Sequence, residues 1–267
     1  MDLPYLVAVD LDGTLLGDDK RVSARTQAAI AAVSDAGHHV VAVTGRGHES
    51  AAPLLAHIPA IEYIVGSNGA YAYRVATGSL DWSQPIRTAE ADRWIALIRA
   101  RLPGACFGWE SEAGTVYEEE FLALRVDPLA DDPDVAGTQS PGGDLHKLFV
   151  RSPSVTGREL QGFVTDLLIG AAEVSSSGIP FVEVTAAGVD KGSGLVRIAR
   201  ALDVPLDRTI VFGDNLNDVP MFRMAGSAVA MGNAVAEIRA LADRVTSPNT
   251  ADGVAEMLET LLVHGMR

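Results

Sequence analysis

Asp10 and Asp12 stand either side of Leu11, directly after the mostly apolar run Tyr5-Leu6-Val7-Ala8-Val9. Carboxylates about 4 Å apart repel by roughly 4 kcal/mol per pair at an effective dielectric near 20, so several of them in one place do not serve stability. Two other strand-like runs end in polar residues of the same kind. Thr44-Gly45-Arg46 closes the run that begins at His39, and Gly213-Asp214-Asn215-Leu216-Asn217-Asp218 closes the run that begins at Thr209. If these ends converge, four carboxylates share a pocket and something positive has to sit among them. Oxygen ligands without nearby His or Cys select a hard cation, and a few carboxylates with room for water and substrate suit Mg2+ better than Ca2+. A calcium-loop reading from Asp214 fails, because Leu216, Val219 and Ala225 fall at its third, sixth and twelfth positions. A carboxylate beside Mg2+ can attack phosphorus and form an aspartyl-phosphate. The transferring oxygens then need donors, which Thr44, the backbone at Gly45 and Lys191 at a helix start can supply.

The elements that carry these residues alternate. Tyr5–Val9 reads as a buried strand, followed by a helix that Ser23 caps and Gly37 ends, then a strand from His39 to Thr44. Near the other end, Lys191–Leu202 reads as a helix, Thr209–Phe212 as a strand and Val219–Ala225 as a short helix. Ser227–Met231, Ala234–Ala242, Arg244–Thr246 and Val254–Val263 continue the rhythm. Short, uninterrupted apolar strands between helices predict a parallel sheet covered on both faces. The middle of the chain differs. Ala70–Tyr73 and Ser79–Trp82 form a hairpin pattern around Thr77-Gly78. A helix over Ala89–Leu102 precedes strand-like pieces at Cys106–Glu110, Thr115–Phe121 and Leu145–Arg151. A helix over Arg158–Leu168 and strands at Ala172–Ser176 and Pro180–Thr185 follow, while Asp127–Gly143 reads as a loop. The prediction is therefore an α/β Rossmann-like core, residues 1–84 and 187–267, carrying an inserted α+β domain, residues 85–186.

Composition narrows the function classes. The chain has 267 residues, with 21 basic against 35 acidic for a net charge of −14, and no basic block, which argues against nucleic acid and anionic membranes as partners. No apolar stretch approaches the roughly 20 residues of a membrane span. The start, Met1-Asp2-Leu3-Pro4, lacks a signal-peptide pattern, so a cytoplasmic location is expected. Cys106 is the sole cysteine, excludes an intrachain disulfide and reads as a packed small residue. His38, His39, His48, His57, His146 and His264 show no ligand spacing and read mostly as surface residues, and Glu118-Glu119-Glu120 reads as a solvated face.

Taken in order, DLDGTL (Asp10–Leu15), VTGR (Val43–Arg46), SNGA (Ser67–Ala70), GVDKGSGL (Gly188–Leu195) and GDNLNDVPM (Gly213–Met221) resemble the haloacid dehalogenase (HAD) superfamily. Within it the chain looks like the Cof-like phosphatases with a type IIB cap. The resemblance implies a HAD-like core, the insertion as cap and lid, and Mg2+-dependent hydrolysis of a small phosphate monoester, often a sugar phosphate. It also implies the roles. Asp10 would be nucleophile and metal ligand. Asp12 would be the acid and base, binding metal through its backbone carbonyl. Asp214 would be the third protein ligand, with Asp218 holding metal-bound water. Thr44, Gly45, Lys191 and Asn217 would hold the phosphoryl group. Arg46 and the hairpin around Gly114 are expected to contribute to substrate choice. A phosphosugar mutase and a non-catalytic phosphometabolite-binding regulator are the alternatives.

Overall fold

The computed structural model describes residues 3–124, 141–176 and 180–265. In chain order the elements are β1 (Leu6–Val9), α1 (Ala24–Asp35), β2 (His39–Val43), α2 (His48–Leu55), β3 (Tyr63–Gly66), β4 (Tyr71–Arg74), β5 (Ser79–Ser83), α3 (Thr88–Arg101), β6 (Cys106–Ser111), β7 (Gly114–Tyr117), α4 (Glu119–Ala123), β8 (Lys147–Arg151), α5 (Gly157–Leu167), β9 (Ala172–Ser175), β10 (Val182–Ala186), α6 (Lys191–Ala201), β11 (Thr209–Gly213), α7 (Val219–Met224), β12 (Ser227–Ala230), α8 (Ala236–Leu241), β13 (Arg244–Val245) and α9 (Gly253–His264). They form two compact units, Met1–Trp82 with Asp190–Arg267, and Ser83–Val189.

The first unit holds a sheet in the order β13-β12-β11-β1-β2-β3-β4-β5, parallel from β13 to β3 and antiparallel between β3 and β4. Every residue of β1, β3 and β11 is buried, as expected of strands covered on both faces. The chain fills one side of β1 first, with β2 and β3, and returns later to fill the other with β11 to β13. The order therefore reverses between β1 and β11, where an open parallel sheet leaves a crevice beyond the carboxyl ends of its strands. The crevice falls where Asp10 and Asp214 emerge.

The second unit is an antiparallel sheet, β7-β6-β8-β10-β9. One face, with Phe107, Trp109, Leu148, Val150 and Val184, packs on Trp94 and Ile98 of α3 and Leu160 of α5. On the other, Tyr117 and Phe149 cluster with Phe121 and Phe181. Among the described residues no helix is long and apolar enough to cross a membrane.

Several local expectations need correction. α2 and β3 were not foreseen, since α2 is short and contains Pro53, and β3 is only four residues long. The predicted strand Thr115–Phe121 stops at Tyr117 and α4 follows. Glu118 makes the break: it is buried, bonds Arg99 and accepts from Phe107 N at 2.9 Å, so it is not part of a solvated face. His146 is buried too, and burial pushes its pKa down to about 4. Cys106 is packed as expected, and burial raises its thiol to about 11. The predicted loop Asp127–Gly143 lies, up to residue 140, outside the described residues.

Candidate active site

Asp10 extends the β1–β11 pairing by one residue, its N–H donating to Phe212 O at 3.1 Å. Its buried carboxylate meets Lys191, whose Nζ donates to Asp10 Oδ1 at 2.7 Å and to Asp218 Oδ1 at 2.6 Å. Lys191 is fully buried. It is the first residue of α6, placed there by the Asp190 cap, whose carboxylate accepts from Ser193 N at 2.7 Å. The glycines that follow Lys191 serve contact: a Cβ on Gly192 would lie 2.7 Å from Pro220 backbone, and one on Gly194 2.9 Å from Gly69 Cα. Close approach at both positions brings the helix start, and with it the ammonium, into the crevice.

Asp218 is satisfied twice over. Its Oδ1 takes Lys191, and its Oδ2 accepts from Asp214 N at 2.8 Å and Asn215 N at 3.0 Å. Asp214 faces Thr14, whose Oγ1 donates to it at 3.4 Å. Asp10, Asp214 and Asp218 each offer an oxygen within 4.8 Å of the others. Three carboxylates against one ammonium leave two formal negative charges in excess. Burial and then Asp218 push Asp214 up to about 6, and burial with the charges of Asp218 and Asp214 raises Asp10 well above the usual carboxylate range despite Lys191. An all-oxygen, electron-rich cluster of this kind fits a hard divalent cation, so the residues match the Mg2+ that the sequence predicts.

The Asp12 carboxylate is not part of that cluster. Arg46 grips it with Nε to Oδ2 at 2.6 Å and Nη2 to Oδ1 at 2.8 Å, and Lys20 adds Nζ to Oδ1 at 2.8 Å. Burial would raise its pKa, but the Arg46 and Lys20 contacts outweigh burial and hold it at about 2. Thr44 is buried beyond β2; its Oγ1 accepts from Arg46 N at 3.0 Å, which leaves the hydroxyl proton for donation. Gly45 lies between these two anchored residues. Asn217 reaches back toward β3, its Nδ2 donating to Asn68 Oδ1 at 3.3 Å.

Sequence reasoning did not find Lys20, Thr14, Asn233 or Asn249. Asn233 Nδ2 donates to Gly13 O at 2.8 Å, Asn249 Nδ2 donates to Leu16 O at 2.8 Å, and Asn249 N donates to Asn233 Oδ1 at 3.0 Å. The two asparagines thus hold the loop after β1 from the far end of the chain, and no local pattern announces such a contact. Gly13 in that loop has φ +75°, and a Cβ there would lie 2.3 Å from Asp214 Oδ2. Gly13→Ala is therefore expected to displace Asp214 and weaken Mg2+ binding by about tenfold or more, as changes behind metal ligands commonly do. Titration calorimetry checks this, and wild-type Mg2+ affinity in the variant would refute it.

The sequence pattern of the haloacid dehalogenase-like hydrolases matches residues 7–258. A 5-amino-6-(5-phospho-D-ribitylamino)uracil phosphatase of Bacillus subtilis is 29% identical over 266 residues, covering 96% of this chain and 97% of that protein. A pyridoxal phosphate phosphatase of Escherichia coli is 25% identical over 269 residues, covering 97% of this chain and 98% of that one. Among solved structures, one described as a HAD subclass IIB sugar phosphatase superposes with a TM-score of 0.82 at 24% identity, covering 98% of this chain and 100% of its own.

Proposed function

Because the chain belongs to the haloacid dehalogenase-like hydrolases, we propose that it hydrolyses the phosphate monoester of a small metabolite, with Asp10 as nucleophile. The observation that carries this reading is Lys191 buried between Asp10 and Asp218 with Asp214 alongside. One oxygen of Asp10 is held by the ammonium, which leaves Oδ2 to attack. Mg2+, held by Asp10, Asp214 and the Asp12 backbone carbonyl with Asp218 behind, would neutralise charge on the phosphoryl oxygens and on the cluster.

In the first step an Asp10 oxygen bonds to phosphorus and the bond to the leaving oxygen breaks. That oxygen keeps the electron pair and takes a proton from the Asp12 carboxyl. In the second, water attacks phosphorus, its proton passes to Asp12, and Asp10 is released with inorganic phosphate. Lys191, the Thr44 hydroxyl, the Gly45 backbone and the Asn217 amide supply donors to the transferring oxygens. In the present geometry Asp12 is held as a carboxylate, so before it can donate it has to leave Arg46 and Lys20 and take up a proton from solvent. Arg46 thereby acts on Asp12 first, and any contact with the leaving group follows that release.

The relatives' named substrates, a phosphorylated ribitylaminouracil and pyridoxal phosphate, make small phosphorylated metabolites the class to test first. Phosphate release is measured from sugar phosphates, phosphorylated polyols, nucleotides and a chromogenic ester, with Mg2+ or EDTA. Mg2+-dependent release from members of this panel is the expected result. Folded, Mg2+-binding protein that leaves every ester intact would overturn the reading.

A further inference from the structure

Ser67, Asn68 and Gly69 follow β3 with φ of +48°, +55° and +99°. Consecutive residues in the left-handed region, two of them with a Cβ, persist only where their surroundings over-determine them, and such sites concentrate where function requires them. Here the surroundings do so. Ser67 N donates to Arg46 O at 3.0 Å, Asn68 N to Thr44 O at 2.9 Å and Ala70 N to Gly66 O at 3.0 Å. Gly69 is pressed against the start of α6, where a Cβ would lie 2.2 Å from Asp190 O. Ser67 and Asn68 are buried as well. The turn ties the ends of β2, β3 and α6 together, and it aims Asn68 at the loop after β11, where its Oδ1 meets Asn217 Nδ2 at 3.3 Å.

A side-chain amide presents two N–H donors on one edge and an acceptor oxygen on the other. An amide free to rotate would bring its oxygen to the phosphoryl group in part of its population, and two acceptors facing each other repel. With Asn68 Oδ1 occupying one N–H of Asn217, the nitrogen edge is fixed and its second N–H is left for a phosphoryl oxygen. We propose that Asn68 is a positioning residue that fixes the orientation of the Asn217 amide for phosphoryl binding, and that the left-handed turn is retained to place it. The inference rests on the phosphatase reading above.

Asn68→Gly separates this role from a purely conformational one. Glycine adopts the observed φ more readily than asparagine, so the turn is kept while Asn217 loses its acceptor. Orthophosphate affinity, read by calorimetry in Mg2+, is expected to fall about tenfold, a coupling of the size seen between residues in contact. Asn217→Ala made on top of Asn68→Gly is expected to cost much less than Asn217→Ala alone. Unchanged affinity in Asn68→Gly, or additive losses in the double variant, would overturn the proposal. Should Asn68→Gly melt well below the wild type, Asn68→Ala measured beneath its own melting temperature gives the same cycle with the same two outcomes. A wild type that binds orthophosphate yet hydrolyses no ester would sink the phosphatase reading while leaving the cycle to decide the role of Asn68.

Discussion

Asp10→Asn is expected to lower phosphate release by roughly 10^4-fold or more, the scale on which removal of a nucleophile is felt, in a protein that melts no lower than the wild type. The two halves of this expectation have one cause. Burial opposes charge on Asp10, Lys191 favours it, and the neighbouring charges of Asp218 and Asp214 oppose it again; the net effect is a carboxyl whose ionised form the fold disfavours. Asparagine has the same shape, its Oδ1 still accepts from Lys191, and it takes one negative charge out of a crowded cluster. What it lacks is the second nucleophilic oxygen. Stability withheld at such positions and recovered on mutation is a common property of reactive sites. Melting in EDTA and in Mg2+ completes the test. The wild type should gain more from Mg2+ than the variant does, because the proposed site loses one of its anionic ligands in the variant. Residual turnover within about a hundredfold of wild type would mean that water attacks the ester directly, and Asp10 would then be a ligand alone.

Lys191→Met works in the opposite direction on stability. The ammonium is fully buried and bonds two carboxylates at 2.7 and 2.6 Å. Burial by itself would strip its proton, but Asp10 and Asp218 keep it charged and raise its pKa. Replacing it with an apolar chain of similar length leaves Asp10, Asp214 and Asp218 facing one another in low dielectric. Breaking a buried pair in this way costs about 3–5 kcal/mol. At roughly 2–4 °C per kcal/mol for a chain of this size, the melting temperature in EDTA should fall by about 10 °C. Divalent cation should recover part of the loss, since it supplies positive charge to the same carboxylates. Phosphate release should be lost in either condition, because the proposed mechanism then lacks a donor to the phosphoryl group. A variant that melts with the wild type in EDTA would show that the carboxylates are neutralised by some other route.

Part of this site was legible because it is local. Asp10 and Asp12 follow an apolar strand, Thr44 and Arg46 follow another, and Asp214 to Asp218 follow a third, so the convergence of these ends could be expected from the α/β rhythm alone. Lys191 could be placed at a helix start because Lys191–Leu202 reads as a helix, and the Asp190 cap that fixes it there came only with the structure. Legibility failed where elements are short or where a side chain overrides a pattern. β3 offers four residues to read, and Glu118, by binding Arg99 and the Phe107 amide, accompanies the end of the predicted strand Thr115–Phe121 at Tyr117.

The sequence by itself determined which chemistries were available: carboxylates, hydroxyl, ammonium and amide at the ends of strands, an excess of acidic residues, and no histidine or cysteine at ligand spacing. Tertiary structure alone decided which group each of them faces. Lys191 meets Asp10 across 181 residues of chain and Asp218 across 27. Arg46 takes the Asp12 carboxylate across 34 residues, whereas Asn217 meets Asn68 across 149. Strand and helix signals are set by neighbours a few residues apart, and so a linear reading recovers them. Pairings of this length depend on sheet order and on close backbone approach at Gly13, Gly192 and Gly194, and these exist only once the chain has folded.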